Sequence, residues 1–534
     1  MGILPRRPLA GLAIAFVSGT GMGLACPVSL NVLFPATMAC MIAAGLSSFK
    51  GTRFSAVSSI LFTLAVLGLG WINAAPMIGM EARPIPVILS LPAGAGVIGI
   101  VTDEPVCVST RNGKSTWKFP VRVEQVRGGG QWRWTGASGT VRIRLFATKE
   151  DRIPAYGERW SLSGYLAQTT YKQGYFAGKP GALFFSGSAR KARCLANGEG
   201  NPFIAACLHG RTWAGRILAE GITDQPDQSR ILNSILLGYY SQIPRDLYQA
   251  FARTGTLHVF AISGSHVVIL GGAIIFILAT CGIPRTHWVL ILGPLLILYT
   301  AMTGLQPSAM RACIMGIVYW TGPLLGRKPD IFTTLAVSAI LILGVAPDDL
   351  MNVGFILSYI AVLGLVLFCP VFTALLHRCF QNDPLKLEPD PRWQTALRSA
   401  WIIFSDLLSV SLAAWLVTTP LSILFFGNFS PIGLPSNLLV VPLSSIVIIT
   451  GVVSLTLGSC ALWLADLFNH ANLALIVMMT ESARWFAAVP YGCITAPPVP
   501  LWGILVFYGL LLMCRFTIWI YSKKNPNTFI ESEE

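Results

Sequence analysis

Long apolar runs dominate the chain, alternate with short polar stretches and flank one longer polar insert. A helix that crosses a membrane needs roughly 20 mostly apolar residues. About twelve segments approach that length, and they lie near residues 9–24, 28–45, 55–73, 257–281, 287–303, 307–323, 330–346, 351–370, 402–426, 432–458, 460–486 and 500–521. The pattern therefore predicts a polytopic α-helical membrane protein.

The polar insert between the third and fourth segments has a different period. From residue 95 to 190, apolar and polar positions alternate with period two, and Gly, Pro and Asp turns separate the runs. Such runs are typical of short antiparallel strands. They read "GVIGIVTDEPV", "WKFPVRVEQV", "GTVRIRLFA", "RWSLSGYLA" and "ALFFSGSA". About five strands in so short an insert predict an all-β domain that resembles an OB barrel.

These patterns divide the chain into five parts. An amphipathic stretch at 203–220, with Arg211, Trp213 and Arg216 among apolar positions, predicts a helix in the outer membrane interface that couples the insert to the membrane core. The predicted parts are N-terminal transmembrane helices at 1–80, the β domain at 81–200, the interfacial helix and linker at 201–230, a transmembrane core at 231–522 and a tail at 523–534.

Composition and loop charge agree with a membrane protein. Of the 534 residues, 54% are hydrophobic and 12% are charged, unlike an ordinary soluble domain. Short cytoplasmic loops collect Lys and Arg, and the basic loops fall on one side if the segments alternate. We therefore expect both termini in the cytoplasm and residues 81–200 outside the cell membrane. For the N-terminus, a signal peptide ending at "GLAC" (23–26) is the alternative.

The insert carries most of the positive charge. Residues 81–200 contain 17 Lys and Arg against 8 Asp and Glu, an excess of nine in a chain whose net charge is +14. Basic residues interleaved with aromatic rings are typical of surfaces that bind single-stranded nucleic acid. Alternatively, the rings fill the barrel core and the cations face anionic lipid. The candidate DNA-binding residues are Trp117, Lys118, Trp132, Arg133, Trp134, Arg142, Arg144 and Lys172.

Cysteine and histidine spacing points to neither a metal nor another cofactor. The 12 cysteines form no CxxC, and the 6 histidines form no HxHxDH pattern, so the spacings of common metal sites are missing. Cys107 and Cys194 are the two cysteines of the outer domain. They either pair as a disulfide in an oxidising compartment or remain two separate thiols.

One apolar run, "TGTLHVFAISGSHVVIL" at 254–270, contains two histidines and no charge. On a continuous helix His258 and His266 lie about 12 Å apart along the axis, too far to share a metal. Ser263 and His266 lie three residues apart and are expected to hydrogen-bond, but a serine nucleophile also needs an orienting acid and an oxyanion hole. We therefore expect packing or pore lining, with a Ser263–His266 enzyme as the alternative.

Several separated stretches resemble the ComEC/Rec2 competence proteins, which are DNA-uptake channels of the bacterial inner membrane. The resemblance is carried by "LLGYYSQIPRDLYQAFARTGTLHVFAISGSHV" from 236, "PSAMRA" at 307–312, "LLGRKPD" at 324–330, "NVGFILSYIAVLGL" at 352–365 and "TTPLSILFFGNFSPIGLPSNLLVVP" at 418–442. This family carries an OB-like domain outside the membrane at the position of the insert. The family's motif positions correspond to His258, Ser263, Gly264, His266, Arg311, Gly354, Ser358, Asn437 and Pro442.

The resemblance implies a channel that passes single-stranded DNA into the cytoplasm during natural transformation. Its implied partners are single-stranded DNA, membrane lipids, the competence uptake machinery and a separate cytoplasmic helicase, since the chain has no GxxxxGK[ST] motif. Many family members continue into a metallo-β-lactamase-like domain, and this chain has no such histidine pattern, so we expect no hydrolase activity. The alternative is a transporter of another envelope solute with a basic, lipid-facing domain.

Overall fold

The computed structural model describes residues 8–26, 30–48, 55–74, 85, 91–111, 114–129, 132–170, 180–378, 391–497 and 499–524. Three apolar helices come first: α1 (Pro8–Ala25), α2 (Leu30–Ser48) and α3 (Ser55–Ala74). Helices α1 and α3 pack closely, because a Cβ at Gly19 or Gly70 would overlap the backbone of the other helix. All three coincide with predicted segments.

The insert forms a closed barrel. Antiparallel pairs join β1 to β3, β3 to β5, β7 to β6 and β6 to β1, and β5 runs parallel to β7, so the order β1-β3-β5-β7-β6 returns to β1. The five predicted strands and the OB-like barrel are thereby confirmed. The strands are β1 (Ala93–Val101), β2 (Val106–Arg111), β3 (Lys114–Gly128), β4 (Thr135–Gly136), β5 (Thr140–Thr148), β6 (Arg159–Thr170), β7 (Pro180–Ser188) and β8 (Arg193–Ala196).

Alternation along each strand builds the barrel core. On β5, Val141, Ile143, Leu145 and Ala147 are buried, while the residues between them are exposed. Successive strand residues point to opposite faces, so every second residue contributes to one apolar interior.

Glu158 connects the loop between β5 and β6 to Trp160 of the barrel core. It accepts hydrogen bonds from the Ala155 amide (2.8 Å), from Nε1 of Trp160 (2.8 Å) and from Arg152 (2.6 Å). Burial raises the pKa of the Glu158 carboxyl, but these three donors outweigh burial and hold the pKa below its usual value. The ionised carboxylate therefore stabilises the folded barrel.

Within the described residues, twelve α-helices follow the barrel. The helix predicted at 203–220 forms as α4, and Asn201 caps its N-terminus. The helices are α4 (Pro202–Ala219), α5 (Pro226–Leu237), α6 (Arg245–Arg253), α7 (Gly264–Thr280), α8 (Trp288–Met302), α9 (Pro307–Leu324), α10 (Ile331–Val345), α11 (Val353–His377), α12 (Arg392–Phe426), α13 (Gly433–Gly458), α14 (Leu462–Ala487) and α15 (Leu501–Lys524). Two short strands, β9 (Asn428–Phe429) after α12 and β10 (Ile494–Thr495) before α15, pair with each other.

A helix lies at each of the twelve predicted segments, but not all of them have the length of a membrane span. Among the described residues, six helices are long and apolar enough to cross a membrane, and five more apolar helices are shorter. The chain is therefore a helical membrane protein, and the predicted count of about twelve spans is not confirmed.

The segment predicted at 257–281 differs most from expectation. Its first part is a 3-10 turn at Leu257–Val259, and the α-helix starts only at Gly264. His258 and His266 therefore do not lie on one continuous helix. The break falls next to "ISGS", a place where Gly and Ser allow a helix to kink or to be interrupted.

Arg211 on α4 joins the barrel to the helical core. Its guanidinium is 4% exposed, donates from Nε to the carbonyl of Leu237 (2.9 Å), pairs with Asp103 (3.4 Å) and stacks on the Tyr239 ring at 4.0 Å. The Tyr239 hydroxyl in turn donates to Glu104 at 2.8 Å. Burial raises the pKa of the Glu104 carboxyl. We call Asp103, Glu104, Arg211 and Tyr239 the barrel joint.

The disulfide between Cys107 and Cys194 is not formed in the structure. The Cys194 thiol lies 3.1 Å from Oδ1 of Asn197, and the Cys107 thiol approaches the Ser109 carbonyl. Cys107 lies on β2, which pairs with β3, whereas Cys194 lies on β8, which pairs with β6. The two thiols belong to different strand pairs.

Candidate functional site

Cations and rings share the outer surface of the barrel. Lys118 on β3 pairs in register with Arg144 on β5, Arg144 with Ser186 on β7, and Ser186 with Tyr165 on β6. The next row places Arg142 beside Phe184, and Phe146 follows Arg144 along β5. We call this surface the basic face; its residues are Lys118, Arg142, Arg144, Phe146, Tyr165 and Phe184.

The basic face is electrostatically crowded. Burial, and then the charges of Arg144, Arg245 and Arg142, lower the pKa of the Lys118 ammonium. Within the described part of the chain, no salt bridge connects these four cations to a carboxylate. An anionic ligand would relieve the repulsion between the cations.

Exposed rings accompany the cations. Phe146 is 43% exposed and Tyr165 is 51% exposed. Phe184 is half-buried and points outward, because its neighbour Phe185 fills the barrel core. Aromatic faces beside cations suit stacked bases and neutralised phosphates.

The predicted residues Trp132, Arg133 and Trp134 lie between β3 and β4. Trp132 is 94% exposed and borders a cleft of about 390 Å³ whose floor includes Gly94, Gly96 and Gly164. Trp134 stacks under Arg127 with 4.7 Å between the guanidinium and the ring centre. The cleft adjoins the basic face, because Gly94 pairs with Tyr165.

Two other predicted residues have different outcomes. Trp117 is half-buried and packs against the barrel core, so for this residue the structure agrees with the alternative of a core aromatic. Lys172 lies outside the described residues. The structure therefore brings together Lys118, Arg142 and Arg144 on the outer surface, whereas Trp117 packs against the barrel core.

Five of the nine motif positions that the resemblance implies lie near the start of α7. Ser263 and His266 form a capping box, in which the Ser263 amide donates to Nδ1 of His266 (3.2 Å) and the Ser263 hydroxyl lies 3.0 Å from the same atom. The predicted hydrogen bond between the two residues is thus present. Because an N–H donates to Nδ1, the proton of the neutral ring is on Nε2.

Helix α9 packs beside this capped turn. The Ser308 hydroxyl donates to the carbonyl of Ile262, and a Cβ at Gly264 would lie 3.8 Å from Ala312. One turn after Ser308, Arg311 donates from Nη2 to the carbonyl of Gly354 at the start of α11 (2.9 Å). Residues 262–266, 308–312 and 352–354 therefore form one cluster, which we call the motif junction.

The start of helix α13 contacts residues 253 and 254, which precede the motif junction along the chain. The Ser430 hydroxyl, which precedes α13, donates to the carbonyl of Arg253 (2.8 Å), and a Cβ at Gly433 would lie 3.2 Å from the carbonyl of Thr254. Asn437 and Pro442 follow on α13, and Ser358 lies one turn after Gly354 on α11. Asn437, Pro442 and Ser358 are half-buried.

Several buried polar atoms at these positions have no hydrogen-bond partner among the described residues. They are Nε2 of His266, Nε and Nη1 of Arg311, Oγ of Ser436 and Oδ1 of Asn437. His266 is 1% exposed and Arg311 is 4% exposed. Buried polar groups without partners are unfavourable unless water or a ligand supplies the missing bonds. A water molecule or a ligand that reached these atoms would therefore be stabilised by them.

His258 lies in the 3-10 turn before α7 and is exposed. Its Nδ1 lies 3.2 Å from the carbonyl of Gly255 in the same turn.

Sequence reasoning missed several residues of these sites. Phe146 and Phe184 could have been predicted from the sequence, because the alternation along their strands places them on the same side of the barrel as Arg142 and Arg144. Ser308 lies within the quoted "PSAMRA" stretch, but its partner Ile262 is 46 residues away. Arg211 lies in the predicted interfacial helix and Arg245 in the quoted stretch from 236, but their approach to the barrel gave no local signal, because tertiary packing alone creates it.

Comparison with known proteins agrees with this arrangement. The family described as "Competence protein" matches residues 235–520, which contain the whole motif junction. The chain belongs to the competence protein family. No solved structure matches the chain.

Two curated relatives of this competence protein are similar to it. ComE operon protein 3 of Bacillus subtilis (strain 168) is 30% identical over 229 residues, which cover 43% of this chain and 26% of the relative. The uncharacterized protein YcaI of Escherichia coli (strain K12) is 22% identical over 530 residues, which cover 92% of this chain and 60% of the relative. The chain thus spans less than two thirds of the length of either relative.

Proposed function

We propose that this competence protein conducts single-stranded DNA across the bacterial inner membrane during natural transformation. The barrel binds the strand outside, and the helical core supplies a hydrated path to the cytoplasm, where both termini lie. The proposal rests above all on the motif junction, where family motif positions from separate helices bring together buried polar atoms without partners.

The basic face supports the DNA part of the proposal. Phosphates bind Arg142, Arg144 and Lys118, and bases stack on the exposed rings beside them. Such contacts are independent of sequence. A separate ATP-driven helicase pulls the strand, and the uptake machinery delivers it.

We also propose that the chain is not an enzyme. Nδ1 of His266 is engaged in capping α7, and no described carboxylate contacts its Nε2. A serine nucleophile at Ser263 would lack the acid that orients its base. The capping box gives both side chains a structural role instead.

The decisive experiment is natural transformation of a strain that lacks this protein, complemented by the chain or its variants. Wild-type chain restores uptake of labelled DNA, and Arg311→Met does not. The substitution keeps bulk but removes the buried charge. Gly272→Ala is the matched control, because a Cβ at Gly272 meets nothing within 4 Å. Unchanged DNA uptake in the strain without the protein would refute the proposal.

A second experiment separates DNA from other solutes. The full chain in nanodiscs binds a labelled oligonucleotide, and the affinity is measured at several salt concentrations. In Arg142→Gln the slope of log affinity against log salt falls by about 0.7, because one phosphate contact with the single strand is lost. Arg193→Gln, an exposed arginine on β8, leaves the slope unchanged. Failure of the wild-type chain to bind the oligonucleotide would favour the alternative function, an envelope solute transporter.

A further inference from the structure

Helix α6 lies next to the basic face of the barrel. Strand β2 contacts the 3-10 turn Tyr240–Gln242, which leads into α6, and Val106 of β2 both packs on the helical core and pairs with Lys118. The charge of Arg245, the first residue of α6, acts on Lys118 together with Arg142 and Arg144. Arg245 therefore extends the same positive surface from the barrel onto the helical core.

The exposed side of α6 repeats the chemistry of the basic face. Leu247, Ala250 and Phe251 are buried, which leaves Arg245 and, one turn later, Tyr248 on the outside. Tyr248 is 39% exposed and meets the Tyr240 ring edge-on, with 5.9 Å between ring centres. A cation and a supported ring thus lie on one side of the helix.

Carboxylates do not neutralise this surface within the described residues. The nearest acid along the chain is Asp246, and it is paired with Arg484 at 3.2 Å, which also binds Glu481. Four cations from two parts of the fold therefore approach one another without a salt bridge. Contacts within the described part of the protein do not offset the repulsion between these cations. A bound polyanion would offset it.

We propose that Arg245 and Tyr248 form the second half of the strand-binding surface, so that a single strand bound on the barrel continues over α6 toward the helical core. Arg245 holds a backbone phosphate and Tyr248 stacks a base. This inference rests on the proposed function, because it takes the ligand of the basic face to be single-stranded DNA.

A single strand suits this surface better than a lipid headgroup. The cations extend from Arg142 on β5 to Arg245 on α6, and exposed rings accompany them at Phe146 and Tyr248. A polymer with repeating phosphates and flat bases matches such a row. An anionic headgroup needs the cations but gives the rings no partner.

The test uses the full chain in nanodiscs of zwitterionic lipid and a fluorescein-labelled oligothymidine. Arg245→Gln lowers the slope of log affinity against log salt by about 0.7, since one phosphate contact is lost. Arg253→Gln, at the far end of α6 and also exposed, is the matched control and keeps the wild-type slope. Tyr248→Ala weakens binding about tenfold, whereas Tyr248→Phe, which keeps the ring, does not.

Two outcomes overturn this inference and leave the proposed function intact. In the first, Arg142→Gln lowers the slope but Arg245→Gln does not. In the second, Arg245→Gln leaves oligothymidine binding unchanged and reduces only the binding of phosphatidylglycerol vesicles, which assigns α6 to lipid. Failure of the wild-type chain to bind oligothymidine at all would instead count against the proposed function.

Discussion

The barrel joint provides a quantitative prediction, because one buried side chain makes most of its contacts. In Arg211→Met the chain keeps a side chain of similar length but loses the guanidinium. The hydrogen bond from this charged group to the Leu237 carbonyl contributes about 2 kcal/mol. Stacking on the Tyr239 ring at 4.0 Å, out of contact with water, contributes about 1–2 kcal/mol.

The ion pair contributes less than these two contacts. Asp103 is 38% exposed, so water screens its attraction to Arg211, and the pair stabilises the fold by less than about 1 kcal/mol. We therefore expect Arg211→Met to reduce the free energy of unfolding by about 3–4 kcal/mol. We expect Asp103→Asn to reduce it by less than about 1 kcal/mol.

Thermal unfolding of the full chain in detergent measures both variants under the same conditions. The melting temperature should fall several times further in Arg211→Met than in Asp103→Asn, and Arg216→Met on the same helix controls for loss of an arginine. Equal losses in the first two variants would show that the salt bridge, and not the hydrogen bond and the stacked ring, holds the barrel to the helices.

Three further predictions concern packing, pH and binding. Gly364→Ala should lower the melting temperature by forcing α11 away from Val417, while Gly272→Ala, which meets open space, should not; equal melting temperatures would contradict the packing argument. The lowered pKa of Glu158 means that its contribution is present above about pH 4.5 and is lost as the pH falls through the folded-state value. Glu158→Gln should therefore unfold less steeply in acid, and an identical acid titration would argue against it. Trp132→Ala should weaken oligonucleotide binding with little change in stability, and Trp117→Ala should do the reverse, as titration and melting of each variant would reveal.

The barrel was predictable from sequence because its information is local. Alternation at 141–147 specifies which side of β5 is buried, and the same parity places Arg142 and Arg144 outside. Parity also accounts for Trp117, which shares its side of β3 with the buried Phe119. Trp117 was a candidate for DNA binding because it lies beside a lysine in the sequence, a criterion that ignores this alternation.

Contacts between distant parts of the chain were not predictable. Arg245 follows Lys118 by more than a hundred residues, and no periodic pattern links them. The helical core posed a second difficulty, since hydropathy detects apolar runs but not where a run breaks. The turn at Leu257–Val259 and the helix that follows it lie within one apolar run, so one predicted span became two pieces.

The shortness of α10 matters for its predicted place as a membrane span. Its 15 residues lie between Asp330 and Asp348, and they extend about 22 Å along the helix axis, against roughly 30 Å for the hydrocarbon core of a bilayer. Leu341 and Val345 are 50% and 84% exposed. If α10 crosses the membrane as predicted, the bilayer around it is subject to hydrophobic mismatch and adapts by thinning locally or by recruiting shorter acyl chains.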